Sequence, residues 1–552
     1  MWIFRGQWPR LAPTKGPGSN RPFAHMKTQW TALVPLFAAL LMVACGNGGS
    51  SEKKPAQSNW PDDAEGPAGT GGGVRVFGGA AGTLSAARSC THEPGADGDR
   101  WCAFIGRSSE GEHNLFVVNV SQVKAGVPVA CGSEDPNCLL LTDHVEGSSA
   151  DFHPSFFQGD TLVYYDRDLA AYAWRPGMTG GRLLARRNTE RDIAYCTPAP
   201  RGLAVACLSM PSEQPAGRVV VGELLAASVD WEEEPLLQPI ASVIAATGDD
   251  NVTVHRFGFA ALADGYVGWS ARETETGPEI LKLQRVDDPD SQITVATDVH
   301  HWAVTDDGSS WLWMARTSAG SVGTLQIAPF PNGAGPVDLL GGVIDYKLTS
   351  NGAVVAETEQ HTAVSIVDPN GAPERHVLLG DEIGKISALS DEGQVAFAKR
   401  PIGSQFTDFI VSSLDGTRTC VLETTGSVSL NAIHFAPGAD GVLWAARSNT
   451  DKFDAFLSRL GDCNTARLSP DIVVMGWVGS GHAVFIDAYD PDTASGSLRY
   501  RKAGRDGELH PDPPSLIAER VDTYATWGDD FVLYTISAGT DEDGMYVRAF
   551  GR

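Results

Sequence analysis

From residue 74 onward the apolar residues fall in short runs broken by clusters of Gly, Asp, Asn and Pro, with no sustained helical period. One unit recurs: a strand, a turn at Gly or Asp-Gly, then a strand that is apolar on both faces. The second strand reads Trp101-Cys102-Ala103-Phe104-Ile105, Thr161-Leu162-Val163-Tyr164-Tyr165, Leu203-Ala204-Val205-Ala206-Cys207, Tyr266-Val267-Gly268-Trp269 and Trp311-Leu312-Trp313-Met314 in the first half. It continues as Ala353-Val354-Val355-Ala356, Gln394-Val395-Ala396-Phe397, Val442-Leu443-Trp444-Ala445, Ala483-Val484-Phe485-Ile486 and Phe531-Val532-Leu533-Tyr534. Third strands follow, as at Asn114 to Val120, Ile280 to Leu283 and Met545 to Phe550, and often a fourth, as at Cys138 to Leu141 and Cys420 to Leu422. A repeat of about 40–60 residues built from four short strands predicts an all-β fold, a β-propeller of four-stranded blades. One such sheet cannot bury both faces alone, and stacked neighbours share a continuous core. A β-sandwich array would give less regular four-strand units.

The ends of the pattern predict how the ring closes. Asp522 to Trp527, Phe531 to Ile536 and Met545 to Phe550 supply three strands before the chain stops at Arg552. Val74-Arg75-Val76-Phe77 is a strand with no unit of its own. It is expected to complete the last blade and hide an otherwise exposed edge. The count is about 8–10 units, in one ring or in two smaller ones.

Ahead of residue 74 the pattern changes. Met26-Lys27 precedes an apolar stretch from Thr31 to Met42, interrupted by Pro35 and ending in Val43-Ala44-Cys45. A positive start, a short apolar core and small residues at the exit make a secretory signal, and the stretch is short for a membrane span of about 20 residues. The run Leu41-Met42-Val43-Ala44-Cys45 resembles the lipobox of bacterial lipoproteins, with Met42 where Leu is usual. The resemblance implies that Cys45 is acylated and becomes the mature N-terminus, with Gly46 after it favouring the outer membrane. Residues 1–44 then form the signal, with the true start at Met26, residues 45–73 a Gly/Ser/Pro-rich tether reaching roughly 30 Å, and residues 74–552 the propeller.

The cysteine count fits an exported domain, while the acidity speaks for solubility. The formal net charge is −26, and residues 1–44 carry five cations and no acid, so the processed chain would stand at −31. Such a surface repels phosphate backbones, which argues against a nucleic-acid partner. Beyond Cys45 there are eight cysteines, an even number that suits disulfides. Cys90 and Cys102 occupy adjacent strands, as do Cys196 and Cys207, and facing Cβ atoms there lie within disulfide reach. Cys131 and Cys138 flank a turn-rich loop. Cys420 and Cys463 remain as the fourth pair. Absence of CxxC spacing gives no support to a tetrahedral zinc site.

Several turns resemble the Pro-Asp-Gly turn of TolB-type, WD40-like propellers: Ala436-Pro437-Gly438-Ala439-Asp440-Gly441, Leu389-Ser390-Asp391-Glu392-Gly393, Val304-Thr305-Asp306-Asp307-Gly308 and, more loosely, His153-Pro154-Ser155-Phe156. The resemblance spans most of residues 80–550, usually without the Pro, and implies the fold rather than an activity.

Candidate chemistry is sparse. The sequence holds no GxSxG, HExxH, P-loop or GxGxxG motif, and nothing in it asks for a cofactor. His300 and His301, next to Trp302, are expected on opposite faces of a strand, one in the core and one exposed. Asp487, Asp490 and Asp492 could wrap a calcium ion, though their spacing is not that of an EF-hand and Pro491 interrupts it. Asp97-Gly98-Asp99 and Asp541-Glu542-Asp543-Gly544 read as turns, Glu232-Glu233-Glu234 as a solvated insertion, and Trp231, Trp302 and Trp477 as core in preference to a binding surface. The expected function is a lipid-anchored, non-enzymatic scaffold of the cell envelope that binds a protein or glycan. The alternatives are a propeller hydrolase or lyase acting on glycans through paired carboxylates, and a TolB-like accessory of an envelope transport complex.

Overall fold

The structure is a computed structural model that describes the chain from Gly73 to Phe550 apart from internal segments, the longest being 84–89, 92–98, 144–155, 212–219, 229–236, 247–257, 368–375, 400–407 and 503–512. The Cys45 lipobox, the signal, the tether, Trp231, Glu232 to Glu234 and most of the Pro-Asp-Gly-like turns lie outside the described residues.

The described residues form ten antiparallel sheets in chain order, each starting with an inner strand and ending with an outer one. The first sheet is Ala81–Thr83, Trp101–Arg107, His113–Asn119 and Cys138–Thr142, and the next three repeat this order through residue 297. Two strands serve two sheets each. Val337–Leu348 is the outer strand of the fifth sheet in its first half and the inner strand of the sixth in its second. Ser515–Ala525 does the same for the ninth and tenth. The tenth sheet closes as the sequence predicts: Val74–Gly78 pairs antiparallel with Gly544–Ala549, placing Val74 opposite Val547 and Phe77 opposite Met545.

Every seam between consecutive sheets is an apolar cluster, and the clusters run in a circle. Trp101 and Leu115 of the first sheet pack on Leu162 and Trp174 of the second. Val205 of the third meets Val163 of the second, and Trp269 of the fourth meets Leu208 of the third. The chain of seams continues through Leu283 with Trp302, Leu325 with Val354, Val355 with Phe397, Val411 with Val442, Leu457 with Phe485, and Leu498 with Tyr534. The last cluster returns to the start, joining Leu533, Met545 and Val547 of the tenth sheet to Phe104 and Phe116 of the first. The fold is a β-propeller, and its ten seams form one ring. That circle explains why second strands are apolar on both faces: Thr161–Tyr165 and Phe531–Ile536 are buried at every position.

Aromatic pairs stiffen several sheets at one equivalent place. Phe104 stacks on Phe116, Tyr164 on Tyr172, Trp444 on Phe456 and Tyr534 on Tyr546, with ring planes within 12–19°. In each pair the residues stand directly opposite on the second and third strands. Such cross-strand pairs contribute roughly 0.5–1 kcal/mol each beyond their burial.

Two details of the first sheet depart from the strand pattern. The expected third strand ends at Asn119, whose side chain caps a short helix α1, Val120–Lys124, by accepting from the Gln122 N–H at 3.2 Å. Cys90 lies outside the inner strand, Ala81–Thr83, and faces Cys102 through an isolated bridge.

Two histidines carry a pH dependence: His434, lowered to about 4 by burial, and His482 at the seam of the ninth and tenth sheets. His482, 9% exposed, lies 5.6 Å from the Tyr500 ring and 5.0 Å from the Phe550 ring. The Arg548 guanidinium sits over both of those rings. Burial, then Lys502 and Arg548, lower the imidazole from 6.5 to about 4. The unfolded chain therefore takes up a proton below about pH 6.5 that the folded chain refuses until about pH 4. Stability is expected to fall across that window by on the order of a few kcal/mol. His482→Gln should flatten this loss in denaturant melts at pH 7, 6, 5 and 4; equal slopes for both proteins would refute the assignment.

Candidate functional site: the corners of the inner strands

First strands of adjacent sheets touch one another, as Ile383–Leu389 does with Val428–Phe435 and that strand with Val474–Val478. These strands surround the axis of the ring. Outer strands such as Asp288–Thr297 stay exposed along most of their length.

The chain reaches each inner strand through a corner, and the described corners share one backbone solution. The residue that turns the chain has positive φ: Asp298 at 58°, Gly342 at 71°, Glu382 at 53°, Asp471 at 52° and Arg520 at 60°. Directly after it stands a buried β-branched anchor: Val299, Val343, Ile383, Ile472 and Val521, each at most 2% exposed. The anchor faces the neighbouring core and fixes where the strand begins. A left-handed residue costs about 1–2 kcal/mol unless it is Gly, less for Asp, so the anchor must hold it.

After four of these five anchors, Val299, Val343, Ile383 and Val521, the register slips by one residue. Val299 pairs with Ala315, but His301 pairs with Met314, leaving His300 extra. The slip recurs at Ile344 between Val343 and Asp345, at Gly384 between Ile383 and Lys385, at Asp522 between Val521 and Thr523, and at Ala194 between Ile193 and Tyr195. These are β-bulges, which bend a strand and re-aim side chains.

The bulge overturns the expectation for the two histidines. His300 and His301 do not point to opposite faces: their rings stack at 5.4 Å with planes 14° apart. Alternation fails because the extra residue breaks the period of two. His300 is 8% exposed, so it is the more buried of the pair. His301 Nδ1 lies 3.6 Å from Asp345 Oδ1, the residue at the equivalent corner of the next sheet. Asp345 Oδ1 also accepts the Tyr346 N–H at 3.0 Å. The Tyr346 ring stands edge-on to His301 at 6.0 Å, and its hydroxyl donates to the Leu312 carbonyl at 3.3 Å. Burial, then the Asp345 charge, push the Tyr346 hydroxyl far above its ordinary pKa, so it remains a donor. Lys347 Nζ donates to the Ser387 carbonyl of the seventh sheet at 2.9 Å. At the tenth corner Asp522 Oδ1 accepts from the Thr523 N–H at 2.8 Å and from the Thr535 hydroxyl. The result is a set of His, Asp, Lys and Thr side chains gathered at the starts of the inner strands, capable of ion pairing and hydrogen bonding.

The other sequence candidates stand elsewhere. The eight cysteines form four disulfides: Cys90–Cys102, Cys131–Cys138, Cys196–Cys207 and Cys420–Cys463. Asp487 pairs with Arg499 Nε at 2.9 Å, while Asp490 accepts from the Asp492 N–H and the Thr493 hydroxyl. Of the three, the Asp490 carboxylate orders the turn, and no group of three or more His, Cys, Asp or Glu that could hold a metal ion occurs among the described residues. Trp302 and Trp477 are core residues, 1% and 3% exposed. The Asp541 to Gly544 turn takes part in closure, its Asp543 carbonyl accepting from Gly79 N–H at 2.8 Å and from Arg75.

No family model matches the sequence, and no curated protein matches it. Solved structures similar in shape include a eukaryotic initiation factor, at 11% identity and TM-score 0.43, covering 76% of this chain and 98% of that one. An oligogalacturonate lyase from Vibrio parahaemolyticus is similar at 10% identity and TM-score 0.33, covering 60% and 89%. The β-propeller domain of the Trilobed protease from Pyrococcus furiosus is similar at 9% identity and TM-score 0.29, covering 61% and 98%. The fold assignment rests on the sheets and seams described above.

Proposed function

We propose that this chain is a lipoprotein of the cell envelope, anchored through Cys45, whose propeller binds a protein or glycan ligand at the mouth formed by the bulged inner strands. The observation that carries the reading is the recurrence of one corner: a left-handed residue, a buried anchor and a bulge, repeated around the axis with polar side chains after it. Repeated bulges at one end of a rigid ring are the place where a strand presents side chains outward instead of into a seam. The address rests on the lipobox-like Met42-Val43-Ala44-Cys45 and on the even cysteine count that follows it. Two acyl chains or more would hold such a domain stably at a bilayer.

The His301–Asp345 contact also suits the alternative, a hydrolase or lyase acting on glycans, in which that pair would move a proton. A TolB-like accessory role differs from both in needing an envelope complex as partner. Two experiments separate these readings. Cys45→Ala should shift the protein from the detergent-extracted membrane fraction to the soluble one, and the wild-type N-terminal peptide should carry the mass of acyl chains. Binding to a panel of envelope glycans and cross-linked envelope proteins should fall at least tenfold in Asp345→Asn with an unchanged melting temperature. Undiminished binding in that variant would remove the mouth from the proposal. Product release from a glycan that stops in Asp345→Asn would favour the enzyme.

A further inference from the structure

The four disulfides divide into two classes by what they join and by what solvent can reach. Cys90–Cys102 and Cys196–Cys207 each tie the start of a sheet to the second strand of the same sheet, and all four cysteines are at most 3% exposed. Those four cysteines also belong to seam clusters, and the other two pairs differ in that each has one cysteine that solvent reaches. Cys420, on the outer strand of the seventh sheet, joins Cys463 in the turn before the outer strand of the eighth. Cys420 is buried at 1%, whereas Cys463 is exposed. Cys138 is likewise buried at 1%, whereas Cys131 is only partly covered.

Cys131–Cys138 clips an arm that reaches from the first sheet onto the closing strand of the tenth. The arm is α1 and the loop that follows it. Its Val120, Val123 and Val129 pack in one cluster with Val76 of the closing strand and Leu533 and Val547 of the tenth sheet. The Cys131 N–H donates to the Val76 carbonyl at 2.8 Å, on the edge of the closing strand that faces away from Gly544–Ala549. The closing strand is thus held from both sides, by its sheet and by the clipped arm.

We propose that Cys131–Cys138 and Cys420–Cys463 are a reducible latch on the ring, opened by a dithiol reductant while the two in-sheet disulfides stay intact. A thiolate of the dithiol attacks the reachable sulfur, Cys131 or Cys463, and the buried partner, Cys138 or Cys420, leaves as thiolate and takes a proton. The second thiol of the reductant then attacks the mixed disulfide, forming the cyclic disulfide of the reductant and freeing the remaining cysteine. Two electrons pass for each latch. Attack on the in-sheet pairs requires a sulfur that solvent does not reach unless a whole seam opens. Reduction therefore loosens two seams and leaves the cross-links within the first and third sheets in place.

Titration of the native full chain with dithiothreitol, followed by alkylation and mass mapping, tests the partition. Cys131, Cys138, Cys420 and Cys463 should become alkylated at a reductant concentration at least tenfold below that needed for Cys90, Cys102, Cys196 and Cys207. Simultaneous reduction of all four pairs, or earlier reduction of an in-sheet pair, would overturn the proposal. Hydrogen exchange tests the consequence. Amides of residues 74–78 should exchange at least tenfold faster after this mild reduction, and likewise in Cys131→Ser with Cys138→Ser. Cys420→Ser with Cys463→Ser should leave residues 74–78 unchanged and speed exchange in residues 419–423. Unaltered exchange at 74–78 in the reduced wild type would show that the arm is not a latch, whatever the folding of the variants.

Discussion

Removing residues 74–78 is expected to abolish the compact ring. Deletion takes Val76 and Phe77 from the cluster they share with Phe104, Phe116, Leu533 and Met545, and each large side chain lost from such a site costs about 1.5–3 kcal/mol in burial alone. It strips the pairing from Gly544–Ala549 and leaves an apolar strand edge open to another chain. Gly106 shows how closely the strand fits: a Cβ there would stand 2.6 Å from the Phe77 ring. The expected result is loss of more than 10 °C in melting temperature, a sharp gain in proteolysis of residues 531–550, and association at micromolar concentration. A synthetic peptide covering residues 73–79 should restore protease resistance by adding the missing strand in trans. A deletion variant that melts like the parent would mean that the seams hold the circle without its closing strand.

Trp311→Ala should be the most damaging single substitution at a seam. Trp311 is fully buried between the fourth and fifth sheets, edge-on to Trp302 at 5.7 Å and 5.3 Å from Phe330. Its indole N–H donates to the Pro331 carbonyl at 2.8 Å. Truncation creates a large cavity and strands that carbonyl, which together cost about 3–5 kcal/mol. The cavity has little chance to collapse, because the Gly268 backbone already approaches the Trp302 and Trp311 rings closely from the fourth sheet. Denaturant melts should show the loss, and hydrogen exchange should place its centre at residues 266–272 and 310–315. A cost below 1 kcal/mol would mean that the neighbouring sheets close over the gap.

The strands and the closure were legible in the sequence because burial on both faces writes itself as unbroken apolar runs. Thr161 to Tyr165 can be recognised from composition alone, and a stray strand at Val74 has one place to go when the last unit lacks a member. Two disulfides, Cys90–Cys102 and Cys196–Cys207, followed from strand adjacency, Cys131–Cys138 from the loop it clips, and Cys420–Cys463 from what remained. The corners were not legible. A bulge is a relation between two strands, so His300 and His301 look like ordinary alternation until Met314 is known to face the second of them. Nor does the sequence divide Ser515–Ala525 into the halves that serve different sheets, since Arg520 turns the chain without a Gly or Pro to mark it. A charged residue or Gly followed by Val or Ile, as in Asp298-Val299, Gly342-Val343, Glu382-Ile383 and Arg520-Val521, is the signal that was there to be found. The acid spacing at Asp487, Asp490 and Asp492 did not reveal that Arg499 on the facing strand pairs with the Asp487 carboxylate.

Joining the earliest strand to the latest sets an order of events during synthesis. Arg75 meets Asp543 across 468 positions, so the contact forms only after those intervening residues have been made. Until then the leading strand waits without its partner, and nine nascent blades stand as an open arc. Long loops of this kind make folding slow, and a chain that emerges from one end first would depend on holdase chaperones or on rapid delivery of its tail to avoid capture by a sibling molecule.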